Sequence, residues 1–142
     1  MTNMNLCHSL FFNKIDNLPV KMPENGEFLL CFELNPSQSR NIEPDPDHFL
    51  DNLLFTGEKI QDDQAHELVE LPQGHYLFSQ FRSDAALDRD KWLDLAIEQQ
   101  KDGLWERYKL TDFLFIRFLY EDGAFVTQIF RKITDGVSHI II

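Results

Sequence analysis

The amino-acid sequence predicts a single α+β domain: an antiparallel sheet with one main helix and a shorter one packed on one face. Three observations predict it. Residues 113–133 hold two apolar, aromatic-rich runs about one Asp122-Gly123 pair, the strongest short-range hairpin signal, because a type I′ turn needs φ > 0 at both central residues. Residues 66–133 read strand, strand, helix, strand, strand, and antiparallel strands with few helices belong to that class. The chain has 142 residues and no linker to split it, so residues 1–142 form one domain. The first half reads as a looser version of the same order, which would make the whole a duplicated βαββ unit.

Taken in order, residues 9–15 read as a short strand ending before Asp16-Asn17. Asn25-Gly26 introduces a strand over 27–34 with Phe28, Leu30, Phe32 and Leu34 on one face and Leu29, Cys31 and Glu33 on the other, since side chains alternate. Residues 35–47 carry three prolines and read as a loop. Asp45-Pro46 opens a short helix through Asn52. Leu53-Leu54-Phe55 is its tail or the next strand, closed by Gly57. Residues 66–71 alternate as a strand, Pro72-Gln73-Gly74 turns, and 75–82 form a longer strand. The main helix spans 87–102, with Trp92, Leu95, Ala96 and Gln99 on one face and Gly103 as its terminator. Trp105 and Tyr108 lie on the connection that follows, and 137–142 read as a final strand.

The two-residue turn fixes the hairpin register: Tyr120 faces Phe125, Phe118 faces Thr127, Arg117 faces Gln128 and Ile116 faces Ile129. One face then carries Leu114, Ile116, Phe118, Tyr120, Phe125 and Ile129 and reads as core. The other carries Phe113, Phe115, Leu119, Val126 and Phe130, with Arg117 and Gln128 side by side in the middle. A sheet apolar on both faces needs a cover on each, a ligand, or a partner.

Composition narrows the function. A hydrophobic content of 43% with 13 phenylalanines describes a globular core that needs no disulfide staple. Cys7 and Cys31 read as reduced thiols of a cytoplasmic protein, with a Cys7–Cys31 disulfide open if their strands pair. The five histidines have no metal-ligand spacing, and no cofactor is implied. The net charge of −11 argues against nucleic acid and anionic membrane as partners. It suits solubility, a cationic ligand, or mimicry of a polyanion towards a basic protein. No signal peptide and no membrane-length apolar run is legible. Nor is there a nucleophile elbow around Ser79 or any other catalytic motif, so no enzyme activity is expected.

Residues 70–78, Glu-Leu-Pro-Gln-Gly-His-Tyr-Leu-Phe, resemble the P-x-G-x-Y strand-turn-strand that opens each half of the gyrase-inhibitor-like small-molecule-binding domains. The helix with Trp92 and the hairpin ending Thr127-Gln128-Ile129-Phe130-Arg131 keep that family's order, over about residues 66–133. The resemblance implies a duplicated βαββ fold whose concave sheet cups a ligand, often an organic cation. The family's last strand tends to carry a carboxylate and a proline in an E-I-Y-x-P pattern. Here Gln128 stands in the carboxylate's place and the proline is missing, which puts a cationic ligand at this position in doubt.

The candidate site follows from the polar residues on apolar strands. Arg117 and Gln128 form the floor of an expected pocket walled by Phe115, Phe130, Leu119 and Val126; the alternative pairs Arg117 with a carboxylate such as Glu33. Gln80 and Arg82 extend the same strip if their strand joins the hairpin with Tyr76 and Phe78 on that face. In the opposite arrangement His75, Leu77, Ser79 and Phe81 face the ligand. Glu33 is either a buried counter-charge or a solvent-facing residue on an edge strand, and Trp105 with Tyr108 is an aromatic lid candidate. The leading expectation is non-catalytic binding of a small apolar or aromatic molecule on an open, concave sheet face, as a sensor or sequestering module. The second is an acidic interaction module for a basic partner, such as a toxin-neutralising or nucleic-acid-mimicking inhibitor, drawing on Glu43, Asp45, Asp47 and Asp51. A homodimer that hides the hairpin's outer face and pairs the Ile140-Ile141-Ile142 edge completes the expectations.

Overall fold

The computed structural model describes residues 2–16, 26–34, 49–59, 67–85, 87–101 and 110–134. They form β1 (Thr2–Leu6), β2 (Leu10–Ile15), β3 (Phe28–Glu33), β4 (Leu53–Glu58), β5 (Leu68–Leu71), β6 (Gly74–Ser83), α1 (Arg89–Lys101), β7 (Leu110–Glu121) and β8 (Ala124–Ile133). All eight strands join one antiparallel sheet in the order β1-β6-β8-β7-β3-β4-β2-β5. This corrects the expected α+β class. The described residues are mostly antiparallel sheet, curled into a half-barrel, with one short complete helix among them, so the protein is not a balanced α+β layer. Thr2–Leu6 was not expected as a strand, and Leu53–Glu58 continues through Gly57 instead of closing there. Of the expected short helix only Phe49 and Leu50 lie among the described residues, and both are helical. The loop 35–47, the connection with Trp105 and Tyr108, and the strand 137–142 fall outside the described residues.

The strand order reads the same when β1–β4 are exchanged with β5–β8. What repeats among the described residues is the set of strands; a βαββ run is described once, as β6-α1-β7-β8, and residues 17–25 between β2 and β3 fall outside the described residues. The leading strand of each half crosses to the other: β1 pairs with β6 and β5 with β2. The corners that turn β1 into β2 (residues 7–9) and β5 into β6 (residues 72–73) touch, as the Gln73 amide donates to the Ser9 hydroxyl at 3.0 Å. Two ends of one sheet thereby meet, and the sheet must curl.

Each face is dry for a different reason. On the outer face Phe28, Leu30, Phe32, Leu114, Ile116, Phe118 and Ile129 pack under Trp92, Leu93, Ala96 and Ile97 of α1. Trp92 meets Phe118 edge-on at 5.4 Å. The Asp88 carboxylate accepts the Lys91 amide at 2.9 Å and caps the helix. On the inner face Leu29, Cys31, Phe115 and Phe130 are covered by Phe12, Leu71 and Tyr76 from the two ends of the sheet. The second cover is the sheet itself. Gly57 permits it: a Cβ there would lie 2.8 Å from the Phe12 Cβ and 2.9 Å from a Val69 methyl carbon, so a side chain would hold β2 and β5 away.

The hairpin register is the one expected, from Tyr120 opposite Phe125 to Ile116 opposite Ile129. Asp122 and Gly123 take φ of 51° and 78°, the double left-handed turn that an Asp-Gly pair favours.

Candidate functional site

Six strands place Gln80, Gln128, Arg117, Leu29, Gly57 and Lys14 in one row across the inner face. Over β6, β8 and β7 the aromatic packing stops at this row, while at its other end Phe12 crosses over Gly57. Arg117 donates through Nε and Nη2 to one carboxylate oxygen of Glu27, and through Nη1 to the Gln128 side-chain oxygen at 3.1 Å. Gln128 in turn donates its amide to Gln80 Oε1 at 2.7 Å. Lys59 closes the far end, 3.2 Å from the other Glu27 oxygen. The result is a side-chain ladder of Gln80, Gln128, Arg117, Glu27 and Lys59 over five neighbouring segments of the sheet. Arg117 and Glu27 are 18% and 14% exposed at their side chains, whereas Gln80 and Arg82 are exposed. Arg82 lies one step out from the row and donates to the Glu121 carbonyl at 3.1 Å.

The ladder joins Arg117, Gln128 and Gln80 as expected. It places Tyr76 and Phe78 on the same face, while Ser79 faces the helix and accepts from Gln99 at 3.0 Å. The expected walls differ. Phe115 and Phe130 are 4% and 1% exposed, with Tyr76 edge-on to both at 6.2 and 5.5 Å, so they pack within the protein and do not line an open floor. Burial of Phe115, Val126 and Phe130 also removes the bare hairpin face on which the homodimer expectation rested. Phe113 remains exposed and Leu119 partly so. Glu33 is exposed on β3, a central strand and not an edge, opposite Phe113 and away from Arg117. Trp105 and Tyr108 lie outside the described residues.

Sequence reasoning missed Glu27 and Lys59. Glu27 is two residues before Leu29, the residue opposite Arg117, and that placement needs the long-range register of β3 on β7. It also missed Arg131, the one fully buried charged residue among those described, 0% exposed on the outer face. Its Nη2 donates to the carbonyls of Thr111 at 2.9 Å and Leu34 at 3.2 Å. Burial pulls its pKa down to about 10, against the nearby Asp112 carboxylate, which raises it. Arg131 therefore stays charged at neutral pH and ties the chain leaving β3 to the chain entering β7.

Cys7 and Cys31 are free thiols, and burial, with Glu33 adding to it, pushes Cys31 up to about 12. It is an unreactive apolar filler. Tyr76 is raised for the same reason, its hydroxyl donating to the Pro72 carbonyl. Among the described residues no cluster of His, Cys, Asp or Glu could hold a metal ion, and no helix is long and apolar enough to cross a membrane. An open groove of about 400 Å³ runs beside the β1–β6 edge, lined by Asn5, Leu6, Cys7, Gln73, Gly74 and His75, on the far side of the packed aromatics from the ladder. No known family model matches this chain, and no curated protein matches it.

Proposed function

We propose that the protein is a non-catalytic binding module that takes a small molecule with an apolar or aromatic body at the rim of its half-barrel. The observation that carries this reading is the position of the ladder. A sheet that could have filled the row with leucine and phenylalanine, as it does one step further in, instead holds a hydrogen-bonded Arg-Glu-Gln-Gln strip. Apolar residues of similar volume in such places are often neutral or stabilising, so the strip adds recognition more than stability. The ligand contacts the rim of Gln80, Arg82, Arg117 and Leu119, because Phe115 and Phe130 are spent on internal packing.

A thermal-shift screen of small organic molecules tests this. A ligand at a hundredfold its dissociation constant stabilises the native state by about 2.7 kcal/mol, and Arg117→Met or Gln128→Leu removes that shift. A shift that survives both substitutions places the site elsewhere.

A second reading, an acidic module for a basic protein partner, is favoured by one feature of α1. Asp90, Asp94 and Glu98 are all exposed and follow at i, i+4, i+8, a spacing at which like charges cost helix stability. Capture of a basic protein that weakens steeply between low and high salt, and that is lost on Asp94→Asn with Glu98→Gln, supports it. Salt-independent capture counts against it.

A further inference from the structure

We infer that the ligand of this rim presents an anionic hydrogen-bond acceptor, a carboxylate or a group of that shape, on its apolar body. The inference rests on the rim being the binding site, and it follows from the polarity of the ladder. Arginine has donors only. Arg117 must therefore meet the oxygen of the Gln128 amide, not its nitrogen. Gln128 then has only its N–H₂ to offer Gln80, so Gln80 turns its oxygen inward and its own N–H₂ outward. The direction of every bond is set by the arginine. The exposed end of the ladder is consequently a donor. At the other end both Glu27 oxygens are engaged by Arg117 and Lys59, so its strongest acceptor is in use.

The charges agree. The row through Gln80 and Arg117 and the step beyond it hold four cations, Lys14, Lys59, Arg82 and Arg117, against two carboxylates, Glu27 and Glu67. Lys14 also meets Glu67 at the surface, 3.6 Å away, and Glu121 stands at the hairpin end beside Arg82. This cationic strip sits in a chain of net charge −11. Such a chain does not steer anions from a distance, so recognition is by contact. Arg82 keeps donors beyond the one given to Glu121, and with the Gln80 N–H₂ it can meet both oxygens of a carboxylate, while Leu119 offers the apolar surface beside them.

Three probes of one chain length separate the possibilities: octanoate, octanamide and octylamine, each titrated into the full chain and followed by the side-chain amide signals of Gln80 and Gln128 and the Arg117 Nε–H. Octanoate is expected to move these signals and to bind at least tenfold more tightly than octanamide, with octylamine leaving them in place. Gln80→Glu, an exposed change that keeps the fold, is expected to abolish octanoate binding, and Arg82→Gln to weaken it severalfold; the amide spectrum of each variant reports its folding. If octanamide or octylamine binds at these signals as tightly as octanoate, the anionic head is wrong while the rim stands as the site. If none of the three moves them, or if octanoate binding survives Arg117→Met, the rim itself is wrong and the inference falls with it.

Discussion

The two halves of the molecule share a strand plan and fill it differently. Aligning the corners, Leu6 with Leu71 and Leu10 with Gly74, carries through the whole ladder register and sets Phe12 against Tyr76, Gly57 against Phe130, Cys31 against Arg117 and Phe55 against Gln128. Phe12 and Tyr76, each 1% exposed or less, do the same work from opposite ends of the sheet. The other three pairs do not match. Where the second half has a phenylalanine and a polar pair, the first has a glycine, a thiol and another phenylalanine. The first half thus yields space so that β2 and β5 can close over the sheet, and the second half supplies the groups with chemistry. A repeated strand plan lets one copy specialise in packing and leaves the other to carry the polar ladder, since a sheet needs only one ladder and only one deep crossing.

The largest effect that can break this comparison is at the matched pair. Phe12→Ala and Tyr76→Ala should each cost about 3–5 kcal/mol in denaturant unfolding, as truncations of fully buried rings do. A loss below about 1 kcal/mol at Phe12 would mean that the far end of the sheet is not folded over the inner face.

Next comes Gly57. Gly57→Val should destabilise by about 1–3 kcal/mol through overpacking against Phe12 and Val69. Gly57→Val combined with Phe12→Leu should regain part of that loss. Equal costs with and without the second change would show that the crossing is not what the glycine serves.

The polar half is probed by removing one charge and then both. Arg117→Met alone should cost about 2 kcal/mol, because it leaves the largely buried Glu27 carboxylate without its arginine. Adding Glu27→Leu should return stability to within about 1 kcal/mol of the parent protein. The charged pair that the first half lacks would then be gone, and the proposed ligand binding would be lost with stability kept. A double variant that remains as destabilised as the single would make the ladder a structural device.

At neutral pH the smallest effect, close to none, is that of the thiol that replaces arginine, which shows only in alkali. Cys31 is held protonated to about 12 when folded, against an ordinary value of 9.0. Ionisation therefore favours the unfolded chain above that ordinary value. Its contribution to stability is whole below pH 9 and declines as pH rises from about 9 towards 12, by at most about 1.4 kcal/mol per unit. Cys31→Ala should flatten that decline, although Tyr76, also raised, keeps part of it. A thiol reagent at pH 8 should label Cys7 at once and Cys31 only as the protein unfolds. Rapid labelling of both would show that the inner face opens.

What the sequence determined by itself was local. Asp122-Gly123 admits one tight turn, and a two-residue turn leaves one register, so the positions of Arg117 and Gln128 side by side on one face of β7–β8 were legible from residues 113–133. The alternation on β3 and the helix with Trp92 were legible for the same reason: each depends on neighbours within a few residues. Only the tertiary structure decided the rest. Thr2–Leu6, a run of alternating asparagine and apolar residues, becomes a strand because β6 offers it an edge, and residues 53–58 pass through Gly57 as a strand because β2 and β3 flank them. The apolar second face, which called for a partner or a ligand when read alone, is covered by the two ends of its own sheet. Glu27 rather than Glu33 meets Arg117 because the register of β3 on β7 spans some ninety positions of chain. Such pairings are fixed by the summed burial of both faces, and no short window of sequence contains that sum.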